Sequence, residues 1–397
     1  MGAEAWRNVD ELRAAARRRL PAPLFHFIDG GAEDETALRR NTEAFDDVRL
    51  MPRSLVDVGE IDLRTRLLGR TFALPLMISP TGMNRLFHPA GEVAVARAAG
   101  DAGILYSLST MGSTSIEDVA AAGAGPKMFQ IYVFKDRGLT AEHVGRCREA
   151  GYHALCLTVD TPMAGNRERD VRYGLTIPPR LTAKALLAFA RRPGWVRDYL
   201  TAPRPTLANV AHRVGDAKGE GEGVAGYVNR QFDRTVTWAD AAWLAKLWNG
   251  PLLIKGLLAP DDAERALDCG ASGIMVSNHG GRQLDGVPAP FDMLKAMRDI
   301  VGDRLELVLD GGIRRGTHVL KALAAGANAC SIGRAYLYGL AAGGEAGVRR
   351  TLEVLRTELE RDMVLLGCPR IADVGPAQLQ GGPQTMPRRT ADLSAAS

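Results

Sequence analysis

Residues 251–334 read PLLIKGLLAPDDAERALDCGASGIMVSNHGGRQLDGVPAPFDMLKAMRDIVGDRLELVLDGGIRRGTHVLKALAAGANACSIGR. Four short apolar runs punctuate this stretch, at 251–256 (PLLIKG), 273–278 (GIMVSN), 306–310 (ELVLD) and 329–333 (ACSIG). None alternates strictly between apolar and polar residues, as expected of parallel strands covered on both faces. Helical signals lie between them. Asp261 and Asp262 open a run that ends near Gly270, acids suiting the positive end of a helix dipole, and 317–325 runs from a threonine start to Gly326. Strand, helix and strand in repetition predict a parallel α/β architecture.

The same unit recurs toward the N-terminus. Apolar runs at 74–80 (LPLMISP), 103–110 (GILYSLST), 127–133 (KMFQIYV) and 154–160 (ALCLTVD) alternate with helical patterns, among them 88–100 and 139–150. Eight such units predict an α/β fold of the (β/α)8 TIM-barrel type over about 71–345. An open doubly wound sheet is the competing architecture, but no G-x-G-x-x-G follows the first strand. Three segments lie outside the cycle. Residues 1–70 form an N-terminal helical extension with a basic helix over 10–20, halted by Pro21. About 90 residues separate Asp160 from Pro251, far more than a βα connection needs. Their end, 237–250 (TWADAAWLAKLWNG), reads as the fourth helix, and about 175–235 as an insertion after strand four. Residues 345–397 read as a C-terminal helix (345–366) and a tail, and the whole chain, 1–397, as one domain.

Of 397 residues, 46% are hydrophobic and 24% charged, which supports a large core, and a net charge of only +4 argues against a nucleic-acid partner. The five cysteines (Cys147, Cys156, Cys269, Cys330, Cys368) include no C-x-x-C pair, and their odd number suits a reducing compartment. No signal-peptide core and no membrane-length apolar run stand out. The expectation is therefore a cytoplasmic protein, with no metal site.

In a barrel of this kind, chemistry sits where strands end and loops begin. Strand six runs into SNHGGRQLDG (277–286), where His279 is a base suited to neutral pH, Gly280 and Gly281 allow a tight turn, and Arg282 offers a planar fork for a carboxylate. After strand four, Asp160 is placed to orient His279, and Arg167 to act as a second clamp. Strand five ends in Lys255, a buried cation that must meet an anion or shift its pKa. Ser109 and Thr110 end strand two, while Gln130 and Tyr132 on strand three are donors for the polar edge of a ring and for a hydroxyl. Asp310-Gly311-Gly312 with Arg314, and Gly333-Arg334, fall in the two loops where barrels often bind phosphate. A phosphate-bearing cofactor follows. Each feature alone has a plainer reading: a polar turn, a helix cap at Asp160, a surface ion pair at Arg167, a barrel-mouth salt bridge at Lys255.

Taken together, SNHGGRQLDG resembles the active-site signature of the FMN-dependent L-2-hydroxy-acid oxidase and dehydrogenase family, the group of glycolate oxidase, L-lactate dehydrogenase and mandelate dehydrogenase. Matching stretches cover most of the chain: FIDGGAEDE (27–35), LPLMISPTGM (74–83), FQIYVFKDRG (129–138), LTVDTP (157–162), VLDGGIRRGTHVLKALAAGA (308–327) and IGRAYLYGLAAGGEAGV (332–348). The resemblance implies FMN as cofactor and oxidation of an L-2-hydroxy acid, lactate-like or mandelate-like, to the 2-keto acid. It assigns His279 as base, Asp160 as its partner, Arg167 and Arg282 as carboxylate clamps and Tyr132 as the hydroxyl contact. Pro80, Thr81, Gly82, Ser109, Gln130, Thr158, Lys255 and Ser277 become flavin-ring and ribityl contacts, with Lys255 stabilising the reduced ring. Asp310, Gly312, Arg314, Gly333 and Arg334 become ribityl and phosphate contacts. It also implies a homotetramer and electron transfer to a quinone or other carrier. Gly82, where oxidase relatives often carry alanine, leans the same way. An oxidase that passes electrons to O2 and makes H2O2, a relative that oxidises another alcohol or an amine, and a flavin sensor without turnover are the alternatives.

Two features stand apart from the family pattern. Phe27 occupies the place of a tyrosine that hydrogen-bonds the substrate carboxylate, a loss on the order of 1.5–3 kcal/mol unless His26, water or an arginine replaces it. Met111 is expected to line the substrate pocket. Residues 180–213 hold seven Lys or Arg (Arg180, Lys184, Arg191, Arg192, Arg197, Arg204, Arg213) against one acid, Asp198, interleaved with Leu186, Leu187, Phe189, Trp195, Tyr199 and Leu200. This composition suits an anionic membrane surface, hence peripheral attachment to the inner face of the cell membrane, with a solvated lid as the alternative. Residues 215–226 (GDAKGEGEGVAG) read as a flexible loop.

Overall fold

The computed structural model describes residues 3–174, 183–213 and 230–381. Eight parallel strands form the barrel: β1 (Leu76–Ile78), β2 (Tyr106–Ser109), β3 (Lys127–Ile131), β4 (Ala154–Thr158), β5 (Leu252–Leu257), β6 (Gly273–Ser277), β7 (Glu306–Asp310) and β8 (Ala329–Ile332). All eight expected strands are present, most of them shorter than the apolar runs that announced them. Each pairs with its chain neighbours, and β8 returns to β1. The ring closes between β1 and β2, where Met77 bridges Leu105 and the Ile78 N–H donates to the Leu105 carbonyl at 2.9 Å.

Strand alternation explains the core. Met77, Leu105, Met128, Cys156, Leu253, Met275 and Val308 fill the barrel interior, and Leu67, Leu68 and Phe72 join them from a hairpin (Thr65–Leu67 with Arg70–Phe72). The intervening residues, among them Ile78, Phe129, Leu155, Ile254, Ile274 and Leu309, pack in the other apolar layer with the helices. All five cysteines are buried and free.

The helices follow their signals with two corrections. The expected fourth helix is Trp238–Trp248, opened by a capping box between Thr237 and Asp240. The helix expected from Thr317 begins at Gly316, because the Gly316 N–H donates to the Glu358 carboxylate at 2.9 Å and a Cβ there would lie 2.5 Å from the Leu359 nitrogen. The C-terminal helix expected at 345–366 starts earlier, at Arg334, and runs to Leu366 through a break at Gly343 and Gly344. Gly344 has φ 62°, so the chain bends there and the second half folds back to cross the first at Gly339 and Gly347.

The N-terminal extension positions the site. Its basic helix is Val9–Arg19, capped by Asn8, and two further helices, Ala22–Asp29 and Thr36–Glu43, follow it. The third sits on the loop after β6. Asp285 accepts from the Thr36 and Ala37 N–H groups at its N-terminus (3.1 and 2.7 Å), and Asn41 exchanges side-chain hydrogen bonds with Asn278. Val48–Leu50 then pairs antiparallel with Leu379–Gly381.

Two insertion helices, Ala183–Ala190 and Pro193–Thr201, lean on the extension through an Arg19–Asp198 ion pair (2.8 Å). The Trp195 indole N–H donates to the Leu86 carbonyl at 2.9 Å. The glycine-rich 215–226, Arg180, the Lys184 side chain and the tail after 381 lie outside the described residues. Among the described residues, no helix is long and apolar enough to cross a membrane.

Candidate active site

A cleft of about 280 Å³ opens at the C-terminal end of the barrel, lined by residues from the loops after β1, β2, β4, β6, β7 and β8 and by Phe27 and Ile28 of the extension. The loop after β6 is its most constrained part. His279, Gly280 and Gly281 all have positive φ (57°, 67° and 71°), a conformation that strains histidine. A Cβ on Gly281 would lie 2.5 Å from the Leu38 nitrogen, so glycine is what lets the extension dock here. The His279 N–H donates to Ser277 Oγ at 3.0 Å, which holds the turn.

His279 Nδ1 lies 3.0 Å from Asp160 Oδ1, so the paired tautomer carries its proton on Nδ1 and leaves Nε2 to meet a ligand. Burial alone would raise the Asp160 pKa. Its interactions with His279 and with the Lys255 cation outweigh that and hold it below the ordinary value. Gly256 makes room, since a Cβ there would fall 2.6 Å from Asp160 Cγ. Gln283 donates to the carbonyls of Asp160 (2.8 Å) and Met163 (2.9 Å), stitching the loop after β4 to the loop after β6.

Lys255 has found its anion. Its Nζ is 3.1 Å from Asp310 Oδ2 and 2.9 Å from Ser277 Oγ. Burial works against its charge, yet Asp310 and Asp160 raise its pKa above the ordinary value. Burial likewise opposes the charge on Asp310, and Lys255, Ser277 and Ser79 together keep its pKa low. Ser277, expected as a cofactor contact, is itself buried. Its hydroxyl accepts from Lys255 and the His279 N–H and donates to Asp310 at 2.7 Å, bracing the site from beneath.

The arginines are arranged differently. Arg282 Nη1 donates to the carbonyls of Phe27 (2.6 Å) and Gly30 (3.1 Å), and its guanidinium carbon lies 4.9 Å from the Phe27 ring centre. That of Arg167 lies 5.8 Å from the same ring. Arg334 donates to the carbonyls of Ile28 (3.0 Å), Gly30 (2.8 Å) and Gly280 (2.9 Å). Among the described residues neither Arg282 nor Arg334 has a carboxylate partner, and Arg167 has only Asp170, at 3.6 Å. Burial, then the like charges of Arg167 and Arg334, push the Arg282 pKa down to about 9. An anion entering the cleft would relieve that deficit.

The remaining expected contacts separate into a ring end and a phosphate end. Pro80, Thr81, Gly82, Ser109, Met111 and Tyr132 line the cleft. Burial raises the Tyr132 hydroxyl to about 12. Ser109 donates to Gln130 Oε1 at 3.0 Å, whereas Gln130 Nε2 and Thr158 Oγ1 are buried with no partner among the described residues. At the other end Gly312, Arg314, Gly333 and Arg334 converge. Gly312 (φ 75°) passes so close to Asn41 that a Cβ would sit 1.8 Å from its carbonyl oxygen. Hydroxyls of Thr81, Ser109 and Tyr132 at one end and cationic, glycine-rich backbone at the other fit a ring with a polar edge and a phosphate, whereas Gln130 and Thr158 do not line the cleft.

His26 is not part of the cleft. It stacks on Tyr173 at 3.7 Å, so of the side chains proposed to replace the missing tyrosine hydroxyl, only the arginines stand beside Phe27. Gln283 and Asp285 lie in the quoted motif, but nothing local signals their roles, because their partners are more than 110 residues away in sequence.

The FMN-dependent dehydrogenase family model matches residues 16–381. Glycolate oxidase 1 of Oryza sativa subsp. indica is 42% identical over 372 residues, 94% of this chain and 95% of that protein. The crystal structure of the monotopic membrane protein (S)-mandelate dehydrogenase superposes with TM-score 0.91 at 39% identity, covering 95% of this chain and all of that one. Mandelate oxidase with (S)-2-phenylpropionate gives TM-score 0.80 at 36% identity, over 96% of this chain and 100% of that one.

Proposed function

This chain belongs to the FMN-dependent dehydrogenase family, and from that premise we propose a division of labour in its cleft. The enzyme oxidises a 2-hydroxy acid to the 2-keto acid, with FMN as cofactor. When bound, FMN supplies the acceptor for the two electrons that leave the substrate α-carbon. Pro80, Thr81, Gly82, Ser109, Gln130, Thr158 and Lys255 would hold its ring and ribityl chain, and Asp310, Gly312, Arg314, Gly333 and Arg334 the ribityl chain and phosphate.

Arg282 and Arg167 hold the substrate carboxylate, which provides the counter-charge that Arg282 lacks among the described residues and adds to the Asp170 contact of Arg167. Their fork fixes the α-carbon relative to His279, whose Nε2 takes the proton. Asp160 keeps the ring oriented and stabilises the imidazolium that results. Tyr132 hydrogen-bonds the substrate hydroxyl. Lys255, kept cationic by Asp310, stabilises negative charge at the ring edge. One observation supports this reading: a His279–Asp160 pair at 3.0 Å shares a cleft with Arg282, which has no carboxylate partner among the described residues. The purified holoprotein, mixed without air with L-lactate, (S)-mandelate, glycolate and their D-forms, tests it. At least one L-acid should bleach the flavin. A yellow protein that none of them bleaches would contradict the reading.

A quinone or other carrier is the proposed electron acceptor, at a membrane surface. Leu186, Leu187 and Leu200 are exposed beside exposed Arg191, Arg197 and Arg204, and the most similar solved fold cited above is a monotopic membrane dehydrogenase. Arg192 and Arg213 contribute less, because Arg192 donates to the Leu20 carbonyl and Arg213 pairs with Glu142. Co-flotation with anionic but not neutral vesicles is expected, and stoichiometric peroxide in air would instead favour an oxidase. A homotetramer belongs to the same proposal and is checked by light scattering.

A further inference from the structure

The helix Gly91–Asp101 opens on Glu92, a fully buried carboxylate that forms no ion pair among the described residues. Burying a charge without a cation is unfavourable unless hydrogen bonds replace its hydration. Here they do. Oε1 accepts from the backbone N–H groups of Asn84 (3.1 Å) and Ser113 (2.7 Å), and Oε2 accepts from the Thr114 hydroxyl (2.8 Å). The Ser113 hydroxyl lies 2.9 and 2.8 Å from the two oxygens and donates to one of them, while accepting from the Arg85 N–H at 3.0 Å. The helix N-terminus adds its favourable dipole.

These donors come from two loops. Asn84 and Arg85 follow β1, and Ser113 and Thr114 follow β2. Both loops continue directly into the cleft, where Thr81, Gly82 and Met83 of the first meet Met111 of the second. The Met83 N–H donates to the Met111 carbonyl at 2.9 Å. A Cβ on Gly82 would lie only 2.8 Å from Met111 Cβ, so there is no slack between them. Thr81 is tied in as well, its hydroxyl donating to Asn84 Oδ1 at 2.9 Å.

We propose that Glu92 is a positioning residue for the cofactor site: by bonding the loop after β1 to the loop after β2, it sets the spacing between Thr81–Met83 and Met111. The inference rests on the reading that FMN occupies this cleft. Glu92 does not line the cleft and acts only through the two loops. Glu92→Gln keeps one acceptor oxygen for the Asn84 and Ser113 N–H groups and turns the other into an NH2 donor, so the Thr114 and Ser113 hydroxyls that donate there must turn to accept. That reversal resets the contacts joining the two loops, and a misplacement of about 1 Å is enough to change rates about 100-fold.

The test compares wild type, Glu92→Gln and the milder Thr114→Val, which removes one donor and keeps the shape. Three readouts are taken: the FMN dissociation constant of the apoprotein by fluorescence titration, the visible circular dichroism of bound flavin, and the rate of anaerobic reduction by a hydroxy acid. Glu92→Gln should weaken FMN binding about tenfold, alter the visible dichroism and slow reduction, and Thr114→Val should move each readout the same way by less. If Glu92→Gln fails to fold, Thr114→Val decides alone. Variants that lose thermal stability but match wild type in all three readouts would reduce Glu92 to a structural role and overturn the proposal. Failure of the cofactor reading shows up separately, as a wild-type chain that binds no FMN.

Discussion

On one side of the barrel mouth, Lys255 lies 3.1 Å from Asp310 and His279 lies 3.0 Å from Asp160. On the other, Arg282 and Arg334 rest on backbone carbonyls with no carboxylate partner among the described residues. Lys255 and Asp310 are buried, while His279, Asp160, Arg282 and Arg334 are all half-buried, so exposure alone does not separate the two sides. Where the protein supplies the counter-ion, the charge is part of the folded framework and tunes its neighbours. Where it does not, the cation is held in place by carbonyl dipoles and its charge is left for a ligand. The two kinds of site should therefore respond differently to mutation, the paired side in stability or chemistry and the unpaired side in ligand affinity.

The largest effect is expected at His279. His279→Gln should keep FMN bound and slow its reduction by substrate by on the order of 10,000-fold, the upper range for a general base, as read by anaerobic stopped flow. Lys255→Met should come next, in stability: it leaves Asp310 buried without its cation, a loss of about 3–5 kcal/mol in urea unfolding of the apoprotein. Arg282→Met sharpens the contrast. It should raise the substrate dissociation constant by the equivalent of about 1.5–3 kcal/mol while destabilising the fold less than Lys255→Met does. Equal losses of stability in these two variants would break the comparison.

A pH test draws on a third carboxylate. Burial would raise the Asp29 pKa, but hydrogen bonds from Arg13 and Tyr338, with the charges of Arg13 and Arg169, lower it to about 2. A depressed carboxylate stabilises the fold above its unfolded value, near 3.8, and loses that contribution as pH falls through about 2. Wild type should thus lose roughly 2 kcal/mol between pH 4 and pH 2 that Asp29→Asn does not, measured by urea midpoints. The smallest effect belongs to Phe27→Tyr. A hydroxyl added beside Arg167 and Arg282 should tighten binding of a small hydroxy acid by about 1 kcal/mol. No change would mean that the arginines already satisfy the carboxylate.

The barrel was legible because its signal is local: each strand is a short apolar run, most of them ending in glycine or a polar residue, and the helices expected between them keep their own boundary signals. The ends of strands four and six gave Asp160 and His279 directly, since the fold rule places chemistry there. Pairings across the chain were not legible. The helix Thr36–Glu43 takes its place from Asp285 and Asn278, and Ala32 before it from Gly281, all more than 230 residues away. Glu92 reads as an ordinary first-turn acid until the fold brings Ser113 and Thr114 to it. The resemblance has Lys255 stabilise a reduced ring, and the structure adds the anion that keeps it charged, Asp310, from a motif assigned to ribityl and phosphate contacts.

The proposed site requires Arg282 and Arg167 to select a carboxylate. The decisive measurement mixes the holoprotein, without air, with the L-2-hydroxy acid that bleaches it fastest and, separately, with the methyl ester of that acid. The acid should reduce the flavin and the ester should do so at least tenfold more slowly at equal concentration, about the value of one charge-assisted hydrogen bond. An ester that bleaches the flavin as fast as its acid would show that Arg167 and Arg282 hold no carboxylate, and would contradict the proposed site.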